Sequence, residues 1–226
     1  LFELKGQNMK CTLCNQRKGK RFCPAKGDSI CAQCCGEKRI LEIDCPESCQ
    51  YLKLGRSHEI DEYARYLGNI DRVRREEHRR VLSEHQDVVA HLESLLAQER
   101  RETRDLLDKE VAEAVNLLLA ACETEEKGIL YERTADDLRV ESLRRQLRKV
   151  IEAHRNPEAG RGEGIIGAHE NRLTLKGAIG CLEFIRDMIA SHMTLAKTPS
   201  SYVDLLARII PREQRSERAA GSIIIP

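Results

Sequence analysis

Residues Cys11 to Cys49 read CTLCNQRKGKRFCPAKGDSICAQCCGEKRILEIDCPESC and hold eight of the ten cysteines in the chain. The order is Cys11-x2-Cys14, then Cys23, then Cys31-x2-Cys34-Cys35, then Cys45-x3-Cys49. A Cys-x2-Cys pair puts two thiolates on one tight turn, where they grip a single ion. Eight thiolates divide evenly into two tetrahedral four-sulfur sites, the composition zinc takes when its role is structural. Few large apolar side chains accompany them, chiefly Leu13, Phe22, Ile30, Ile40, Leu41 and Ile43. A segment this small seldom folds on apolar burial alone and needs a metal or disulfides. Structural zinc supplies roughly 10–16 kcal/mol of apparent binding free energy in comparable modules.

Zinc is favoured over disulfides and over an iron–sulfur cluster by the rest of the sequence. The first ten residues lack an apolar core followed by a small-residue cleavage site. No run approaches the roughly 18 apolar residues of a membrane span. The expectation is a cytoplasmic protein with no membrane segment, whose thiols stay reduced and bind metal, two zinc ions per chain. Charge is uneven along the chain. Residues 1–56 carry eleven Lys or Arg against six Asp or Glu, a net of +5 in a chain of net charge +1, which leaves −4 for the rest. A basic metal module joined to a mildly acidic body suits an interaction protein.

Within the module, the glycine in the polar run Asn15 to Phe22 suits a hairpin tip, with Phe22 turned inward beside Cys23-Pro24. Cys31 to Gly36 reads as a second metal knuckle, Gly36 supplying a positive φ, and Arg39 to Asp44 as a further short strand. The best division of ligands gives Cys11, Cys14, Cys31 and Cys34 to one ion and Cys23, Cys35, Cys45 and Cys49 to the other. The two sites would then interleave and lock the module as one unit. A linear division, with Cys35 in place of Cys34 at the first site, remains open. Two closed four-cysteine sites leave no coordination position for water or substrate, and neither His-Glu-x-x-His nor a deaminase signature is present, so the metal reads as structural and no catalytic residue is assigned.

Cys11-x2-Cys14, the basic hairpin ending in Phe22-Cys23-Pro24 and the later cysteine knuckle together resemble the small interleaved two-zinc fingers of the HIT and MYND type. The segment departs from both in having no histidine ligand and no second cysteine just after Cys23-Pro24. The phrase Cys31-x2-Cys34-Cys35-Gly-x-Lys-Arg, closing on Cys45-Pro-x-x-Cys-x-Tyr-Leu, also resembles the start of bacterial-type proteins that join such a finger to a helical body. The resemblance implies a module that contacts protein or nucleic acid rather than a catalyst.

From about Glu59 the composition shifts to Glu, Arg, Leu and Ala. Ile60, Tyr63, Leu67 and Ile70, then Val81, Val88, Leu92 and Leu95, recur at helical steps, which predicts one long amphipathic helix over 58–101, bent near Gly68. Arg74 to Arg80 is charged almost all round and reads as a solvated face, and His78 and His85 as surface histidines. A second helix is expected over 104–130. Thr134 and Asp137 open a third bearing Leu143, Leu147, Val150 and Ile151. A glycine-rich loop follows over 156–164, then a fourth helix over 171–194 with Leu175, Ala178, Leu182, Ile185, Ile189 and His192 on its stripe. Ser201 and Asp204 cap a short fifth helix that Pro211 ends, and an apolar tail either docks back on the bundle or offers a strand-like peptide to a partner. Cys122 and Cys181 lie on apolar stripes as core filler.

The predicted architecture is therefore mainly α. A cysteine-rich zinc module with short hairpins (9–52) leads into the connecting helix (58–101), a helical bundle (104–210) and a tail (211–226). The leading functional expectation is a non-enzymatic zinc-binding adaptor whose finger and bundle contact protein partners, with the long helix as the surface for a homodimer. The alternative is nucleic-acid binding through Arg17, Lys18, Lys20, Arg21, Lys26, Lys38 and Arg39, by phosphate neutralisation. Against that alternative stands an aromatic content of 4%, with only Phe22 and Tyr51 near the finger to stack on bases.

Overall fold

The computed structural model describes residues 10–68, 70–157, 172–196 and 198–212. Residues 158–171, which take in most of the expected glycine-rich loop and the expected start of the fourth helix, lie outside that set, as does the tail beyond Arg212. Among the described residues the chain is mainly α, with one two-stranded antiparallel sheet and seven helices.

Strands β1 (Arg21–Cys23) and β2 (Asp28–Ile30) pair with Arg21 opposite Ile30 and Cys23 opposite Asp28. The hairpin tip is Pro24 to Gly27, later than expected, because Gly27 takes the positive φ (64°) that the turn requires. Gly19, expected at the tip, instead lies against β2, where a Cβ would come within 2.9 Å of the Ser29 carbonyl oxygen. Strand alternation turns Cys23 and Ile30 inward and Phe22 outward, 62% exposed. The inward placement expected for Phe22 is thus corrected: Cys23 occupies the inner face of β1, and its neighbour must face out.

Helix α1 (Ala32–Lys38) follows directly. It contains Gly36, and positive φ falls instead on Asn15 (53°) and Ile40 (64°). The strand expected over 39–44 is a turn with a single Arg39–Ile43 bridge.

The predicted long helix is two helices, α2 (Gln50–Gly68) and α3 (Arg72–Glu102). The break follows Gly68, a poor helix former, and Asp71 restarts the helix by accepting from the Val73 amide at 2.9 Å. Helices α4 (Asp108–Glu126), α5 (Leu138–Arg155), α6 (Leu175–Leu195) and α7 (Ser201–Ile209) complete the bundle. Asp137 caps α5 by accepting from Arg139 and Val140, and Thr174 caps α6 through the Gly177 amide. The N-terminus of α7 is capped from another helix: the carboxylate of Asp108 in α4 accepts from the Tyr202 and Val203 amides at 3.0 and 3.1 Å.

The core lies where α3, α4, α5, α6 and α7 meet, with Leu92, Leu118, Leu147, Leu182, Phe184 and Tyr202 fully buried. Cys122 and Cys181 are buried in it, as their positions on apolar stripes predict. His78 corrects a second expectation, being 2% exposed with Nε2 3.1 Å from Asp187. The charged run of α3 is solvated at Glu76, Glu77, Arg79 and Arg80 as expected, but one edge of it docks on α6, where Arg74 joins the same carboxylate at 2.9 Å.

Arginines join the cysteine module to the bundle, and Arg39 is more deeply placed than Arg56 or Arg208. Arg39 crosses α2 at Gly55, donates to the Tyr51 carbonyl at 3.3 Å and reaches Glu59 at 3.3 Å. Glu59 is 4% exposed and also faces Arg208 of α7 at 3.7 Å. A Cβ on residue 55 would lie 1.3 Å from the Arg39 guanidinium nitrogen, so the crossing requires glycine. Arg56 adds a bond to the Arg208 carbonyl at 3.1 Å and a two-pronged pair with Glu47.

Two stability effects are expected. Gly55→Ala evicts Arg39 and leaves Glu59 buried with a weakened partner set, at a cost of about 3 kcal/mol in urea unfolding, whereas Gly68→Ala, with open space around its Cβ, costs nothing measurable or stabilises. The second concerns half-buried Glu93 of α3, whose Oε1 accepts from Tyr63 at 2.7 Å and Tyr202 at 3.0 Å. Burial raises its pKa from 4.5 to about 7. Between those values the unfolded chain releases a proton that the folded chain retains, so stability falls as pH rises through this window. Glu93→Gln should therefore stabilise by roughly 1–3 kcal/mol at pH 8, and the gain should close toward pH 4.5 in paired denaturation curves.

Candidate metal centre

Cys11 and Cys14 sit on the turn preceding the sheet, where the Asn15 amide donates back to the Cys11 carbonyl at 2.8 Å. Cys31 is the N-cap of α1, its sulfur accepting from the Cys34 amide at 3.3 Å, and Cys34 lies in the first turn of that helix. The four sulfurs all fall within 4.8 Å of one another, with Cys11, Cys31 and Cys34 buried. Zinc–sulfur bonds of about 2.3 Å set tetrahedral sulfur–sulfur edges of ~3.8 Å, so the cluster fits one ion with little adjustment. This group can hold a metal ion, and its donor set matches zinc.

The electrostatics of the cluster point the same way. The backbone amide of Cys34 and then the guanidinium of Arg17 draw the Cys31 thiol down to about 6. Backbone amides of Arg17 and Gln16 lower Cys14, while burial pushes Cys34 up to about 12. Without a cation the sulfurs cannot all ionise together, and a dication removes the conflict. Arg17 lies across the cluster, its Nε 3.2 Å from Cys31 Sγ and Nη2 3.5 Å from Cys34 Sγ.

Cys34 and Cys35 are neighbours on α1, and consecutive helical residues point about 100° apart. Cys34 therefore joins Cys11, Cys14 and Cys31 in the first group, the place the linear division gives to Cys35. Cys35 faces a different place: with Cys23, Cys45 and Cys49 it lines a small cavity of about 10 Å³, backed by Ile30 and Ile43. Burial raises the Cys45 thiol, and the charges that add to the rise are those of Cys49, Cys23 and Cys35. These four sulfurs stand further apart than the first set, outside the 4.8 Å grouping.

The basic candidates separate into two sets. Arg17 is turned onto the sulfurs, Lys38 is paired with Glu42, and Arg39 is spent in the junction with α2. Arg21 lies over the Tyr51 ring, 4.9 Å from its centroid, while Lys18, Lys20 and Lys26 are exposed beside the outward Phe22. The sulfur-facing role of Arg17 was invisible as such in the sequence. Its only signal was a cation three residues after Cys14, which equally suits a solvated turn.

No protein-family model, curated protein or solved structure matches this chain, so the likeness to HIT and MYND fingers stands on cysteine spacing alone.

Arg17→Ala should preserve the fold and loosen metal at the first cluster by about tenfold, the usual effect of losing a group that orients and neutralises ligands. Chelator competition against the parent protein measures it.

Proposed function

We propose that this chain is a non-enzymatic, zinc-binding adaptor of the cytoplasm: a two-zinc finger, fixed rigidly to a helical bundle, that presents surfaces to protein partners. The four-sulfur cluster of Cys11, Cys14, Cys31 and Cys34 carries the reading. Four protein thiolates complete a tetrahedral ion and leave it no position for substrate. Cys23, Cys35, Cys45 and Cys49 take the second zinc. In support, they line one atom-sized cavity, and drawing them together around an ion is the kind of tightening that metal-coupled folding brings.

Surfaces for partners are present on both parts. On the bundle, Tyr131 (63% exposed) and Met193 (52%) line one groove along α4. Apolar groups so exposed and so close together suit protein contact. Helix α3 turns its apolar stripe inward, so a homodimer through the long helical segment falls to Leu54 and Ile60 of α2, which are exposed.

One observation favours a second reading, nucleic-acid binding. Phe22 faces out among Lys18, Lys20, Arg21 and Lys26, and an exposed ring flanked by cations is the arrangement on which unpaired bases stack.

Elemental analysis of protein purified without added metal should give two zinc ions per chain. Chelation should unfold the finger while the helical circular-dichroism signal of the bundle persists; one zinc, or iron with sulfide, would sink the two-zinc reading. Anisotropy with a single-stranded oligonucleotide separates the two functions. Binding that weakens steeply with salt and disappears when Lys18, Lys20, Arg21 and Lys26 become alanine favours nucleic acid, and the adaptor reading expects no such binding.

A further inference from the structure

Far along α3 from the cysteine module, two histidines meet across a helix pair. His91 of α3 and His154 of α5 approach with Nδ1 and Nε2 3.2 Å apart, their rings inclined at 73°. Asp87, one turn before His91 on α3, places Oδ2 3.7 Å from the other nitrogen of His154, Nδ1. Nothing in the proposed adaptor function uses this group.

We propose that His91 and His154 form a surface site for a divalent transition-metal ion, with Asp87 as the positioning residue that orients His154. Four features support it. Metal–imidazole bonds of 2.0–2.1 Å at angles between octahedral and tetrahedral separate two ligand nitrogens by about 3.0–3.4 Å, and the observed separation falls inside that window. A carboxylate on the far nitrogen of a ligating histidine fixes its tautomer and raises its basicity, the arrangement found behind most metal-bound imidazoles. His154 lies in the last turn of α5, the negative end of the helix dipole, which favours a cation. His91 also lines an open cavity of about 520 Å³ beside Ser94 and Gln98, leaving room for water to complete the coordination shell.

The ion takes the place of the contact between the two ring nitrogens: both rings would bind as neutral imidazoles, the hydrogen on the bridging nitrogen moving to the other nitrogen of the same ring. Imidazole and water donors suit nickel, zinc or copper rather than magnesium or calcium. The site differs in chemistry from the cysteine clusters, which makes the two separable by experiment.

The test is isothermal titration of Ni2+ into the full chain as purified, with zinc content measured on the same samples so that the state of the finger is read independently. One Ni2+ per chain is expected, accompanied by shifts of the His91 and His154 ring signals in nitrogen-correlated NMR. His91→Gln and His154→Gln, which keep a polar side chain at each position, should each lower the affinity at least tenfold. Asp87→Asn should keep the stoichiometry and weaken binding by about tenfold. Uptake of Ni2+ by the His91→Gln/His154→Gln double variant equal to that of the parent, or no uptake by the parent, overturns the proposal whatever the finger contains.

Discussion

Crowded sulfur is the constraint from which the N-terminal module follows. Four thiols within 4.8 Å are tolerable as neutral groups or as thiolates around a cation, but not as bare anions. The rest of the module is too thin to hold them together by apolar burial, since Ile30 and Ile43 are the fully buried aliphatic side chains among them. The order of the module therefore depends on charge compensation. Arg17 supplies part of it through two N–H contacts to sulfur, and a dication, which this group can hold, would supply the rest. The short helix α1 is what makes the arrangement a unit. It carries Cys34 into the four-sulfur group and Cys35 into the cavity lined by Cys23, Cys45 and Cys49, and so ties the order of one to the order of the other.

That unit is then held to the bundle by a buried polar junction rather than by an apolar face. Arg39 leaves the finger just after α1, passes over Gly55 and meets Glu59, which Arg208 approaches from the other side. A carboxylate between two guanidinium groups is costly to bury and costlier to leave with one partner, so such a junction is selective for one geometry. Helix α7 is the other half of it. Asp108 caps its N-terminus, and Arg101 donates to the carbonyls of Ala207 and Ile210 at its C-terminal end. A nine-residue helix is marginal alone. Gripped at both ends, it becomes the strut through which finger and bundle share one frame.

The parts of this fold legible in the sequence are those set by local rules. Cys-x2-Cys spacing marks the turns that bring sulfurs together, and the stripes Leu143-Leu147-Val150-Ile151 and Leu182-Ile185-Ile189 mark helices whose apolar faces are buried as expected. What escaped was decided by partners distant in sequence. Gly68 and Asp71 together break a helix, but an apolar period runs through both, so periodicity alone joined α2 to α3. His78 looked solvated because its neighbours on α3 are charged; its partner Asp187 lies 109 residues away. Phe22 looked like core because it is aromatic in a segment short of apolar residues. The register of β1 against β2 gave the inner position to Cys23 instead, and register is set by pairing rather than by hydrophobicity.

The same distinction changes how the basic residues of the finger are understood. Counted along the sequence, Arg17 to Arg39 form one cationic run. In the folded module the run divides by the job each charge already performs: Arg17 on sulfur, Arg21 on the Tyr51 ring, Lys38 on Glu42, Arg39 on Glu59. A cation satisfied inside the protein contributes little to long-range attraction and still less to a specific contact, because recruiting it elsewhere would break the bond it has. The outward face of the hairpin therefore has a smaller charge and a more definite shape than the sequence implied. It is an exposed phenyl ring on a hairpin that also bears exposed Lys18, Lys20 and Lys26. Any partner of that face would have to match an apolar surface and positive charge at once, a requirement narrower than net charge.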